Sequence, residues 1–330
     1  MPHKDAASAV ELILKYFPRA PFWPQLPKRD FREGMVAQFS ENVPCLRAAA
    51  DGVFLDTRDK DRELEEFYDR IIAGDTGYFK IGLEYAAGLY NFYSALRARG
   101  VKGIEFIKCH ITGPFTFAAG ISNKDGAALL HDEILMQAAV KALEMKALWQ
   151  LNLFRQFGKK MILFIDEPYL AAFGSAFTPV NRDDVVAQLR ELTSALEAPD
   201  VLIGLHCCGN TDWSMLTEVS GIDIISFDAF SFSDKFALYA PDLQKFLARG
   251  GDVCWGMVPT QDCAVFPDAG SLLEKIEGGI KNLVKKGVNE DLARNNLLLS
   301  PSCGLGTLNE AKAERIFSLL AEVSRAYQGQ

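Results

Sequence analysis

The chain has 330 residues, about half of them hydrophobic, and a formal net charge of −8. The length admits two domains or one large α/β barrel, and the acidic balance with scattered basic residues argues against nucleic acid as a partner. No stretch approaches the roughly 20 apolar residues of a membrane span, and Met1-Pro2-His3-Lys4-Asp5 carries no apolar signal core, so no membrane partner and a cytoplasmic location are expected.

Residues 8–16 have helical spacing. Pro18, Pro21, Pro24 and Pro27 then impose an extended segment, which with Phe22 and Trp23 reads as a flap over the body; residues 1–50 are taken as this helical, proline-rich N-terminal extension. A strand over Gly52–Asp56 precedes a charged helix from Lys60 to Ala73. A second strand is expected at Tyr78–Ile81, followed by a helix through Arg99, and a third at Ile104–His110, ending in Thr112-Gly113-Pro114. Helix covers about 127–157.

The later part alternates more regularly. Strands are expected at Lys160–Asp166, Val201–His206, Ile222–Asp228, Val253–Val258 and Leu297–Pro301, with helices at Arg182–Leu196, Asp212–Val219, Ala240–Leu247, Ser271–Lys286 and Glu310–Tyr327. Continuous apolar strands separated by helices are the pattern of a parallel sheet. About eight such strands predict a closed (β/α)8 TIM barrel, a single catalytic domain over residues 1–330. A doubly wound open sheet is the alternative, but neither Gly-x-Gly-x-x-Gly nor a Walker-type loop occurs.

Polar residues collect at the C-terminal ends of the expected strands, the face where barrels build their sites. Asp166-Glu167-Pro168, His206-Cys207-Cys208, Asp228 and Ser302-Cys303-Gly304 all lie there. Side chains alternate along a strand, so His206 and Cys208 point together and Cys207 points away. His206, Cys208 and Cys303, with Asp228 as a possible fourth ligand, make a tetrahedral Zn2+ set; alternatively Asp228 accepts a hydrogen bond from the ligating His206. Seven cysteines, an odd number, do not suggest a disulfide framework. Cys207 is expected to pack toward the outer helices, and Cys45, Cys109, Cys254 and Cys263 to be structural. Two thiolates already neutralise the metal, so such a zinc is suited to binding a substrate thiol rather than to acidifying water.

These motifs resemble the cobalamin-independent methionine synthase superfamily and its zinc methyltransferase relatives that are similar to uroporphyrinogen decarboxylase. His206-Cys207-Cys208 matches the His-x-Cys of these families, Ser302-Cys303-Gly304-Leu305 their Cys-Gly-Leu, Ile165-Asp166-Glu167-Pro168 their Asp-Glu-Pro and Thr112-Gly113-Pro114 their Thr-Gly-Pro, over about residues 100–330. Where the methionine synthases place a glutamate as a further zinc ligand, this chain has Asp228. The resemblance implies that Asp166 binds a substrate ammonium; the alternative is that Asp166 caps the following segment and Glu167 is exposed. It also suggests that His110 and Thr112 line the same cavity, with Glu84 a further candidate. Asp166 and His110 are thus the expected catalytic residues.

The methionine synthases have two barrels and use methyl-folate, whereas this chain is long enough for one, which implies a different donor: a methylcobamide, free or on a small corrinoid protein. Phe17–Trp23 with Phe115 and Phe117 could offer the corrinoid an apolar surface. The expected reaction is methyl transfer to a small thiol, homocysteine first and coenzyme M second. The alternatives are a uroporphyrinogen decarboxylase-like enzyme, although that family's arginine-rich N-terminal motif is missing, a zinc hydrolase, and a non-catalytic corrinoid- or zinc-binding protein.

Overall fold

The computed structural model describes residues 1–49, 52–175, 178, 180–261 and 266–329. Its centre is a curled sheet of six parallel strands in the order β3 (Phe106–Thr112), β4 (Lys160–Asp166), β5 (Val201–Cys207), β6 (Ile224–Phe227), β7 (Asp252–Val258) and β8 (Leu297–Pro301). Helices connect successive strands, including Glu133–Arg155 between β3 and β4 and Arg182–Leu196 between β4 and β5. Sequential parallel neighbours require such crossovers.

Alternation along the strands sorts their side chains onto two faces. Leu163, Ile165, Ile203, Leu205, Cys207, Ile225, Phe227 and Trp255 join the main core shared with the helices. Phe164, Ile224 and Cys254, with Ile162 and Leu202 beside them, form a small separate cluster on the opposite, inner face. Gly204 belongs to that inner face: a Cβ there would meet the Phe164 ring at 2.7 Å, so only glycine lets the ring lie across the strand.

The closed eight-stranded barrel expected from the sequence does not form among the described residues. The first expected strand is β2 (Gly52–Leu55), which pairs antiparallel with β1 (Leu46–Ala49) in a separate hairpin. The second, Tyr78–Ile81, is a chain of turns. Its apolar alternation is real, since Phe79 and Ile81 are fully buried. But the N–H groups of Tyr78, Phe79 and Lys80 go to the carbonyls of Asp75, Thr76 and Gly77, leaving no ladder for a neighbouring strand.

The proline-rich segment takes the free edge of β3 instead. The Arg19 carbonyl accepts from the N–H groups of Glu105 and Phe106, at 2.8 and 3.1 Å, and the Pro21 carbonyl accepts from that of Lys108, at 2.9 Å. Prolines can offer carbonyls but no N–H, which suits an edge that is one strand wide. Trp23 and Leu26 are fully buried, and the Trp23 indole N–H donates to Gln150 at 3.0 Å. Farther on, the Lys28 ammonium reaches the Thr307 and Leu308 carbonyls beyond β8. Residues 19–28 therefore run from the first strand of the sheet to the loop that follows the last. Among the described residues no helix is long and apolar enough to cross a membrane.

Candidate metal centre

β5 ends in His206-Cys207 with Cys208 next in the chain, and β8 leads into Ser302-Cys303. The structure brings His206, Cys208 and Cys303 together: one ligand atom from each lies within 4.8 Å of the others. A tetrahedral zinc with bonds of about 2.0 Å to nitrogen and 2.3 Å to sulfur sets its ligand atoms about 3.5–3.8 Å apart. Small side-chain rotations would bring the three donors to that spacing, so the set fits a zinc ion.

Hydrogen bonds prepare the donors. Ser226, the register partner of His206 on β6, lies 3.0 Å from its Nδ1. That contact occupies Nδ1 and leaves Nε2 as the free ligand atom. The Cys208 thiol donates to Cys303, which, with His206 nearby, holds the Cys303 sulfur well below the usual thiol range and drives Cys208 upward. The pair thus stores one proton between two sulfurs. Cys303 is exposed and Cys208 half-buried, so the site opens to solvent on the Cys303 side. Ser226→Ala is expected to weaken zinc binding about 10–100-fold, as loss of an outer hydrogen bond to a ligating imidazole usually does. Competition with a zinc chromophore measures it, and unchanged affinity would remove Ser226 from the site.

Asp228 lies outside this cluster. Its carboxylate caps the helix Ala229–Phe236 by accepting from the Ser231 N–H at 2.9 Å, and burial pushes its pKa up. The imidazole partner is Ser226, not Asp228. Cys207 is fully buried in the main core, where desolvation pushes its thiol up to about 12. Cys45 and Cys109 are buried in the same core. Cys254 sits on the inner face, and Cys263 is outside the described residues.

Asp166 is the register partner of both Thr112 and His206, so it stands level with His206 on the inner face. Burial raises its pKa, opposed by Lys108 and His206. Thr112 is committed elsewhere, donating to the Met35 carbonyl at 2.6 Å. His110 is buried against Trp23, with ring centroids 3.9 Å apart, and its Nε2 has no hydrogen-bond partner among the described residues. Burial holds it neutral, well below the usual histidine range. Glu84 is an outer residue paired with Arg32. Trp23, Phe115 and Phe117 are buried in the core, whereas Phe17 and Phe22 are partly exposed and pack on Phe317.

Glu167 is fully buried rather than exposed. Its two oxygens accept from the N–H groups of Phe115 and Thr116, both at 2.9 Å, and from the Thr116 hydroxyl at 2.6 Å. It thereby ties β4 to the short helix Pro114–Ala119. A Cβ on Gly113 would meet the Glu167 side chain at 2.3 Å, which explains the glycine in Thr112-Gly113-Pro114. Two residues that matter here had only faint signals in the sequence. Ser226 sits at an inward-facing position of β6, and Lys108 stands between the apolar Ile107 and Cys109 of β3.

No protein-family model matches the chain, and no curated protein sequence matches it. Among solved structures, a B12-independent methionine synthase from Shewanella sp. W3-18-1, in complex with selenomethionine, is 19% identical, with 71% of this chain and 65% of that one covered and a TM-score of 0.45. The 3-keto-D-glucoside 4-epimerase YcjR of E. coli, in its apo form, is 12% identical, with 72% and 85% covered and a TM-score of 0.40. The chain thus spans about two thirds of the methionine synthase's length.

Proposed function

We propose that this chain is a zinc-dependent methyltransferase that moves a methyl group from a methylated corrinoid to a small thiol, with homocysteine the first candidate. The observation that supports the reading is the convergence of two cysteine sulfurs and one imidazole at adjoining strand ends, with no fourth protein donor in the cluster among the described residues. Three protein ligands leave a tetrahedral ion one position for a substrate.

His206, Cys208 and Cys303 would hold the ion. Zinc bound there would supply Lewis acidity that lowers a substrate thiol's pKa and keeps it as a thiolate nucleophile at neutral pH. The two cysteines set the charge of the site and so favour this task over water activation. Ser226 holds the imidazole through its Nδ1, and Asp166, level with His206, would receive a substrate ammonium. In the balanced transfer the thiol proton would go to solvent and the methyl group would pass to sulfur, the corrinoid donor keeping the electron pair of the bond it gives up.

A hydrolase would call for a further histidine or a base placed beside a zinc-bound water. Of the four histidines only His206 belongs to the cluster, and His110 is stacked on Trp23. The test is metal analysis of the purified protein, followed by the absorbance of methylcobalamin with and without homocysteine. One zinc per chain and thiol-dependent demethylation are expected. A protein without zinc, or a zinc protein that methylates no thiol, would end the proposal.

A further inference from the structure

Behind the imidazole of His206 runs a file of hydrogen-bonding side chains. His206, Ser226 and Cys254 are successive register partners on β5, β6 and β7, so they stand in one row on the inner face. Ser300 lies two residues beyond Leu298, the partner of Cys254, on the same face of β8. Ser226 and Cys254 are buried, so their polar hydrogens need partners inside the protein. Ser226 lies 3.0 Å from Nδ1 of His206, the Cys254 thiol is hydrogen-bonded to both Ser226 and Ser300, and the Ser300 hydroxyl donates to the Pro301 carbonyl at 3.0 Å. Burial pushes the Cys254 pKa up, so the sulfur keeps its proton.

Each hydroxyl or thiol of this file has one hydrogen to give. The Pro301 carbonyl can only accept, and it takes the hydrogen of Ser300. Ser300 can then only accept from Cys254, and the Cys254 sulfur can then only accept from Ser226. Ser226 has no hydrogen left for the imidazole, so Nδ1 must carry one itself. In a neutral imidazole the free lone pair is then on Nε2. Without an acceptor behind it, Ser226 could turn its hydrogen onto Nδ1. Nε2 would then hold the ring proton and could bind no metal.

We propose that Cys254 is a positioning residue, which acts through Ser226 to lock His206 in the tautomer whose bare Nε2 can hold a metal ion. The direction of the file is set at its far end, on the strand that leads into Cys303. Hydrogen bonds in such a chain polarise one another, which strengthens the bond between His206 and Ser226. The proposal rests on the metal reading above for its purpose only, because the tautomer belongs to the protein with or without an ion.

The test reads the His206 tautomer in the zinc-free full chain, from the nitrogen-15 shifts of the histidine rings at a pH where the imidazole is neutral. Loss of one signal in His206→Gln assigns it. Zinc affinity is read by competition with a chromophoric chelator. Wild type is expected to carry the proton on Nδ1. Cys254→Val removes the sulfur, and Ser300→Ala frees the Cys254 hydrogen to turn toward Ser226 without touching Ser226 or His206. Both should move ring protons onto Nε2 and weaken zinc binding about 10-fold. Cys254→Ser should restore both properties. Ser300 is only partly buried, so its variant keeps the test open if valine at 254 unfolds the chain.

A wild-type ring protonated on Nε2 would overturn the proposal. So would an unchanged tautomer in the two variants, a Cys254→Ser protein that restores nothing, or a tautomer that shifts with no change in zinc affinity. The expected tautomers in a protein that binds no zinc at all would instead overturn the functional reading and leave the file of hydrogen bonds standing.

Discussion

Cys303→Ala is expected to strip the protein of zinc and abolish thiol-dependent demethylation of methylcobalamin, while leaving the fold in place. The three donors come from two segments, His206 within β5 and Cys208 just past it, and Cys303 after β8. Removing the sulfur that comes from the second segment leaves only two donors, both at the end of β5. Loss of an outer hydrogen bond already costs about 10–100-fold in metal affinity, so loss of a direct ligand should exceed about 100-fold. Cys303 is exposed and its side chain fills no core, so alanine there opens no cavity. The measurement pairs zinc content after dialysis against a weak chelator with the thermal unfolding midpoint. Full zinc retention would refute the metal assignment, and a collapsed midpoint would mean that Cys303 acts in the fold. Cys207→Ala is the natural control, because that sulfur is sealed in the core and should affect stability more than zinc.

The second large effect is on stability and concerns Glu167. Burial raises its pKa from 4.5 to about 7, against three hydrogen bonds that favour the carboxylate. The folded state therefore keeps a proton that the unfolded chain releases near the ordinary value. Between about pH 4.5 and 7 the folded state binds more protons, so stability falls as pH rises through that window and levels off above it. The total loss is on the order of 3 kcal/mol. With a slope of about 3 kcal/mol per molar for a chain of this size, the urea midpoint should drop by about 1 M. Glu167→Gln cannot ionise and offers one acceptor oxygen where two N–H groups wait. It should be less stable than wild type at pH 5, with this component of the pH dependence removed. Other carboxylates titrate in the same range, so the difference between the two proteins is what isolates Glu167. Parallel urea-midpoint profiles for the two would count against it.

The parallel part of the fold was legible from residue 104 onward because each strand there is a continuous apolar run bounded by a helix. Lys160–Asp166 and Leu297–Pro301 fall where the apolar runs begin and end. The earlier chain misled for an identifiable reason. Tyr78-Phe79-Lys80-Ile81 has the alternation of a half-buried strand, but Asp75, Thr76 and Gly77 before it are turn formers, and the turn took its backbone N–H groups. Prolines 18, 21, 24 and 27 read as a loop because they cannot donate to a ladder. A carbonyl can still accept from one side, and Pro21 with the neighbouring Arg19 does so along the edge of β3.

The placement of His206 and Cys208 on one side of β5 followed from strand periodicity, and Cys303 from its position at another strand end. Sequence patterns say nothing about which carboxylate lies nearest, and Asp228 shows why. Asp before Ala-Phe-Ser is also a helix cap, and the Ser231 N–H claims it. Ser226 was hidden because its contact with His206 depends on a partner on the neighbouring strand, which only the register discloses.

The contact between Lys28 and the Thr307 carbonyl joins positions 279 residues apart in the sequence. Loop closure over such a span is among the entropically most costly steps of folding, so it belongs late in the reaction. The loop that it fastens begins only a few residues after Cys303. Cys208 is made before Cys303, so in a growing chain the two candidate sulfurs would come together only once β8 has joined the sheet. In a growing chain, metal capture would then mark the end of folding rather than initiate it, and the length of that interval, more than the affinity of the finished centre, would set how long those sulfurs stand open to oxidants.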